Sequence, residues 1–304
     1  MINGVLNVRK EPGMTSFSVV SRVRRIFDQK KVGHTGTLDP DAEGVLVVCL
    51  GRATRLVERL ALGTKTYEAV LLLGVMTDTQ DSSGTVLKTS PVTVTEAEAK
   101  EAVLSFAGVQ QQTPPMYSAL KVDGKKLVDL ARRGIEVERK SRQVEFSDME
   151  ILDADLPRVR FRVTCTHGAY IRTLCSDIGE KLGCGGVMEH LIRTRTGEFL
   201  LTDALTLAEI EARKKEEDAE GRKGAYTFVR PVESFYEDLP CIILPEELVR
   251  PVLNGNQVKK SDFPDRLKGI RNGQEIRLRT PEGAFVGIFR LDKGLVRTVK
   301  YYYD

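Results

Sequence analysis

Apolar positions along this chain follow two periods, one of strands and one of helices, and their alternation sets out the elements. Gly4 to Val8 reads as a short strand, after which Glu11, Pro12 and Gly13 turn the chain. Val19, Val20, Val23, Ile26 and Phe27 then recur at helical spacing behind Thr15 or Ser16, either of which can cap the helix. Arg22, Arg24 and Arg25 fall on its other face. Val45 to Leu50 is apolar without interruption, the pattern of a strand covered on both faces. A helix is expected from about Thr54 to Ala61, then a strand over Tyr67 to Leu73 and a polar loop from Thr77 to Gly84. Thr95 and Glu98 form a capping box for a helix that Gly108 would close.

From Gln110 to Gly134 the pattern changes. Pro114-Pro115, the run Tyr117 to Val122 and an Asp123-Gly124 turn of hairpin type lead into a short basic helix, Lys125 to Arg133. This stretch reads as an insertion projecting from a core sheet. Val159, Phe161, Val163 and Cys165 alternate with Arg158, Arg160, Arg162 and Thr164, a half-buried strand with a basic outer face. Ile171, Leu174, Ile178 and Leu182 follow at helical spacing, so Tyr170 and Arg172 sit at a strand-to-helix junction, where sites are often built. Thr206 and Glu209 suggest another capping box, for a helix running into the charge-rich, exposed Arg213 to Lys223. After Asp238 to Pro240 the pattern resets to short strands punctuated by Gly and Pro, as in a small β-barrel of about 65 residues.

Composition narrows the picture. The 304 residues, 41% hydrophobic and 29% charged, describe a globular chain of roughly two domains. No apolar run reaches the ~18 residues of a membrane helix. The start has no signal-peptide layout, which places the expected protein in the cytoplasm. Five scattered cysteines without a CxxC pair point to buried reduced thiols, and three distant histidines make a metal site unexpected. Neither GxGxxG nor GxxxxGK[ST] occurs. Net charge is only +3, but it is uneven: Cys241 to Asp304 holds twelve Lys/Arg against eight Asp/Glu. Further basic clusters lie at Arg22 to Lys31, Arg139 to Arg142 and Arg158 to Arg172. Such clusters are usually solvated faces, yet several on one chain suggest a polyanion partner.

The densest chemistry lies in Lys31 to Gly44, KVGHTGTLDPDAEG. Gly33, Gly36 and Gly44 open backbone angles closed to other residues, and Pro40 holds Asp39 near extended geometry. The product is a stiff loop presenting Asp39, or, on the plainer reading, an ordinary Gly-rich turn. Taken singly, Tyr67, Tyr170 and Leu191 read as core residues and Arg172 as a surface ion pair.

Four blocks in order turn these odds: KVGHTGTLDPDAEGVLVV at Lys31 to Val48, the stretch from Tyr67 through LGVMTDTQDSSG ending at Gly84, QTPPMYSALKVDGKKL at Gln112 to Leu127, and HGAYIRTLCSDIGEKLGCG at His167 to Gly185. Together they resemble the bacterial TruB-type tRNA pseudouridine synthases, which isomerise uridine 55 of the T-loop, and the tail from about Leu239 resembles the PUA-like RNA-binding domain of that family. The resemblance covers nearly the whole chain.

It implies an α+β fold with a mixed, largely antiparallel central sheet flanked by helices over residues 1–237, an RNA-binding insertion at about 110–145, and a PUA-like β-barrel over 238–304. It implies base flipping and an Asp-dependent rearrangement of the C1′–N1 bond to C1′–C5 on the T-arm of tRNA. No cofactor, metal, membrane or protein partner is called for, and a monomer is expected. Asp39 would be the catalytic carboxylate, Tyr67 would stack on the uracil, Tyr170 and Leu191 would line the pocket, and His34 would contact flipped nucleotides. Arg172 would pair with Asp39 through its planar fork and keep it ionised. Asp78 and Asp81 are left as turn formers, and Lys10 is a candidate neighbour of the pocket, left unassigned. Two positions depart from the family pattern: Val128 stands where an aromatic is common, and Ile192 where a second arginine precedes Arg193. Two other readings stay open, a non-catalytic RNA-binding module and a synthase acting on another RNA.

Overall fold

The computed structural model describes residues 1–263 and 265–303. Its centre is a ten-stranded sheet containing β1 (Gly4–Lys10), β2 (Val32–His34), β3 (Glu43–Leu50), β4 (Lys65–Leu73), β5 (Gly108–Gln112), β6 (Arg142–Asp155), β7 (Arg158–Cys165) and β8 (Gly186–Thr196). The spatial order is β1-β3-β8-β4-β7-β6-β5, with β2 beside β3. β3 and β8 run parallel, and the other neighbours on this path are antiparallel, so the sheet is mixed and largely antiparallel.

Helices cover one face in two groups. α1 (Ser16–Ile26) and α4 (Leu207–Ala219) pack Val19, Val20, Val23 and Ile210 on Leu46, Val48 and Leu50 of β3. α2 (Glu96–Leu104) and α3 (Ile171–Lys181) pack Ala99, Val103, Leu174 and Ile178 on Leu71, Phe146 and Phe161 farther along. Arg193 pairs with Gly44 across β8 and β3 and with Tyr67 across β8 and β4. Parity along each strand therefore puts Leu191, Arg193 and Tyr67 on the same face, at the seam between the helix groups.

Local signals explain most boundaries. Thr15 caps α1, accepting the Ser18 N–H at 3.0 Å, and both capping boxes form. Three expectations are corrected. α2 ends at Leu104 with Ser105 as its C-cap, because Phe106 and Ala107 bond back in tight turns to Val103 and Leu104; Gly108 opens β5 instead. The helix expected from Thr54 is a tighter 3-10 turn, Gly51–Leu56, in which the Thr54 hydroxyl donates to the Gly51 carbonyl, followed by a single α-turn, Val57–Ala61. In the insertion, Asp123 and Gly124 both adopt positive φ, 50° and 78°, and close a hairpin that takes Lys125 and Lys126 into a strand. That leaves only Leu127–Ala131 helical.

The opposite sheet face is divided. Over β3, Val45, Val47 and Cys49 meet Phe235, Tyr236, Ile288 and Tyr302. Farther along, the basic face of β7 is present but neutralised: Arg158 pairs with Glu189, Arg160 with Glu68, and Arg162 with Glu68 and Glu150. The last 60-odd residues form a curled half-barrel of five strands around Leu244, Val252, Ile276, Leu278, Val286 and Phe289. It is fastened where Glu233 holds Arg277 and Arg279, and where the Tyr236 and Tyr302 hydroxyls meet at 2.8 Å. Among the cysteines, Cys49, Cys165, Cys175 and Cys184 are buried and Cys241 is exposed; all five are free. Among the described residues no helix is long and apolar enough to cross a membrane.

Candidate active site

His34, Asp39, Tyr67, Tyr170, Arg172 and Leu191 line one cleft of about 630 Å³ at the seam between the helix groups. A second hollow of about 270 Å³ meets it at Asp39 and Arg172. A larger groove, about 740 Å³, bounded by Arg9, Arg195, Leu200 and Glu209, contains none of the six.

Asp39 sits on the loop between β2 and β3, and the loop is held from three sides. Lys10, fully buried, donates its ammonium to the carbonyls of Glu11, Pro40 and Ala42. Arg193, also buried, donates Nε to Val45, Nη1 to Thr37 and Nη2 to Gly36, all carbonyls. Ser16 donates to the Leu38 carbonyl and accepts the Leu38 N–H, joining α1 to the residue before Asp39. At Gly44, φ is 109° and the backbone of Arg193 lies so close that a Cβ would collide with its carbonyl oxygen.

Arg172 Nε lies 3.0 Å from Asp39 Oδ2. The pairing is not the two-pronged one expected from sequence. Nη1 donates to the Thr79 carbonyl and reaches Asp81 Oδ2 at 3.4 Å, and Nη2 donates to the Tyr117 carbonyl. Asp81 is thus more than a turn former, and so is Asp78, whose carboxylate takes the Thr85 N–H and the Tyr117 hydroxyl. The Asp39 side chain keeps 34% of its surface open, which leaves the carboxylate reachable from the cleft. Enclosure by protein pushes its pKa above the ordinary 3.8; Arg172 opposes that push and Asp81 adds to it.

Tyr67 is 7% exposed and lies on β4 opposite Arg193. Burial raises its phenol, so it is neutral. Tyr170 begins α3, and Gln112 of β5, itself 2% exposed, both accepts its N–H and donates to its carbonyl. Arg142 lies over its ring at 5.1 Å. Burial and the nearby Arg193 lower the His34 pKa, which favours neutral imidazole. Lys65, 7% exposed, also lines the cleft; it donates to the Ala61 and Gly63 carbonyls, and burial lowers its pKa to about 8. Among the described residues, no group of three or more His, Cys, Asp or Glu side chains could hold a metal ion.

Lys65, Gln112 and Arg193 line or support the cleft without having been assigned a part in it from the sequence, while Lys10, left unassigned beside the pocket, and Asp81, left as a turn former, both take part in holding it. Arg193 left one signal: it falls two residues from Leu191 on the same side of a strand, so it had to point inward with it.

Residues 24–171 match the family described as TruB family pseudouridylate synthase (N terminal domain), and 172–237 match the tRNA pseudouridylate synthase B C-terminal domain. The chain belongs to the TruB family. A TruB-family relative from Alkaliphilus oremlandii (strain OhILAs), tRNA pseudouridine synthase B, is 44% identical over 296 residues, spanning 97% of this chain and 94% of its own. That of Bacillus subtilis (strain 168), with the same description, is 40% identical over 310 residues, 99% of this chain and 97% of its own. Among solved structures, a Cbf5-Nop10-Gar1 complex contains a chain with TM-score 0.69 and 27% identity, covering 99% of this chain and 85% of that one. An H/ACA RNP bound to a substrate RNA containing 2'-deoxyuridine gives TM-score 0.66 and 25% identity, with the same coverage. TruB-family membership makes the chain an isomerase.

Proposed function

We propose that this chain converts uridine 55 in the T-loop of tRNA to pseudouridine, with Asp39 as the catalytic carboxylate. The observation that carries the reading is the contact of Asp39 with Arg172 in a cleft that also holds Tyr67, Tyr170, Leu191 and His34. The reaction breaks C1′–N1, turns the base and joins C5 to C1′; the C5 proton leaves and N1 ends protonated. No electrons are exchanged with another molecule and no water is consumed. A carboxylate beside the sugar serves by attacking C1′ or by taking the C2′ proton, and both routes need Asp39 ionised and close.

Extruding the uridine costs a few kcal/mol, and stacking on an aromatic returns about 1–3 kcal/mol. Tyr67 is our choice for that ring, with Leu191 and Tyr170 enclosing the base and His34 touching the flipped nucleotides. The insertion over 110–145 and the domain from 238 onward would hold the T-arm backbone, making binding salt-dependent. We read the enzyme as a cytoplasmic monomer that acts without a partner protein or cofactor.

An RNA-binding module without chemistry would gain nothing from a carboxylate in its cleft, and like charge would repel its ligand. The test is tritium release from an unmodified tRNA transcript labelled at uridine C5, incubated with the purified protein alone. Release confined to the T-loop uridine is expected, and Asp39→Asn should abolish it while still retaining tRNA on a filter. Release by Asp39→Asn at the wild-type rate, or release from another RNA only, would overturn the assignment.

A further inference from the structure

Four Phe and Tyr rings line the cleft, and three of them are buried or half-buried. Tyr67 is buried against the sheet, Tyr170 lies under Arg142, and the Tyr117 hydroxyl donates to Asp78. Phe17 is different. It is the second residue of α1, stands in the wall of the same cleft and leaves 67% of its surface open. The Arg24 guanidinium, one flank of its surroundings, is 6.0 Å from the ring centroid.

The ring is nevertheless held in place relative to the chemistry. Thr15 caps the helix at its root, and the two hydrogen bonds of Ser16 tie the preceding residue to Leu38, next to Asp39. Lys126, from the insertion, lines the cleft as well, and Arg24 adds positive charge beside the ring. The cleft, at about 630 Å³, encloses as much space as a whole drug-sized ligand needs, more than a single pyrimidine fills. When a uridine leaves a stacked loop, each base beside it loses a stacking partner. An open, rigidly mounted ring with cations close by is what such a base would bind.

We propose that Phe17 is a stacking platform for a second RNA base, one directly adjoining the reacting uridine. The proposal rests on the pseudouridine reaction proposed above and adds a subsite to it. Tyr67 serves the base that reacts, and Phe17 serves a neighbour that does not. Every base has a π-face, so the platform supplies affinity without selecting a sequence.

Synthetic T-arm hairpins carrying 2-aminopurine on the 3′ or the 5′ side of the target, and tritium at the target C5, test this with wild type, Phe17→Ala and Phe17→Tyr. One of the two hairpins should lose fluorescence on binding wild type and Phe17→Tyr but not Phe17→Ala. Phe17→Ala should raise KM about tenfold with kcat little changed, as expected for one lost stack. Its melting temperature should match wild type, since the ring is mostly in solvent. If quenching survives Phe17→Ala, or neither hairpin is quenched while tritium is released normally, the platform is overturned and the reaction stands. If wild type releases no tritium, both are overturned.

Discussion

Arg172 reaches Asp39 through Nε alone and spends its other two nitrogens on the Thr79 and Tyr117 carbonyls and on Asp81. One side chain therefore ties the Asp39 loop to the Thr77–Gly84 loop and to the start of the insertion. A lysine has one charged atom and cannot span three directions. Arg172→Lys should lower kcat about a hundredfold or more, and strand buried carbonyls at a cost of about 1–3 kcal/mol. Tritium-release kinetics and thermal melting measure the two effects; wild-type turnover would remove Arg172 from the site.

The pKa of Asp39 is pushed above the ordinary 3.8 by burial. With Asp39 as the proposed catalytic carboxylate, the ionised form is the active one, so kcat/KM should fall with falling pH through a limb displaced upward from 3.8. Asp81 is one of the charges that push it, and Asp81→Asn should move the limb down. Arg172→Gln removes the largest opposing charge and should move it up. Residual-activity profiles of the two variants decide this: limbs shifting the same way would contradict the electrostatic account.

Lys10 and Lys65 have pKa values lowered to about 8 by burial, against an ordinary 10.5. Above pH 8 the folded protein releases these protons before the unfolded chain does. The unfolded state then binds more protons, and these two groups add stability as pH rises from about 8 to 10.5. Turnover should change the opposite way, because neutral Lys10 holds the Pro40 and Ala42 carbonyls less strongly. The difference in unfolding free energy between wild type and Lys65→Met, measured by denaturant at pH 7.5 and at pH 10, should shift in favour of wild type at the higher pH. A shift the other way would refute it.

Gly44→Ala combines an unfavourable φ with a collision against the Arg193 backbone. The expected cost is about 3 kcal/mol or more, since the strand pair at that point cannot separate without moving Arg193. Denaturant unfolding measures it, and a loss below about 1 kcal/mol would show that the β3/β8 contact yields more easily than its geometry implies.

The strands, the capped helices and the Asp123-Gly124 hairpin were legible because each rests on neighbours a few residues away. Thr95 with Glu98 and Thr206 with Glu209 form the capping boxes their spacing predicts. Helix ends were less legible: at Ser105 and at Gly51–Leu56 the backbone tightens through bonds that no residue type announces. In the site, Asp39 stood out by its glycines and Pro40. The sharing of Arg172 among three loops could not be read, because its partners lie 55 to 93 residues away for the hydrogen bonds. The roles of buried Lys10 and Arg193 could not be assigned for a physical reason as well. A cation satisfied by carbonyls needs no acidic partner and leaves no charge pattern in the sequence. The basic face of β7 was legible but its neutralisation was not, since Glu68, Glu150 and Glu189 reach it only through the sheet.

The position of β8 has a consequence for synthesis. It lies between β3 and β4, which the chain makes one after the other, but it is itself made only after β5, β6, β7 and α3. A growing chain thus makes the Asp39 loop and the strand of Tyr67 early, before the strand that comes to lie between β3 and β4. Arg172 comes later, and Leu191 and Arg193 arrive only with β8. The hold of Arg193 on the Gly36, Thr37 and Val45 carbonyls is therefore the last support of the Asp39 loop to be made, after those of Lys10, Ser16 and Arg172.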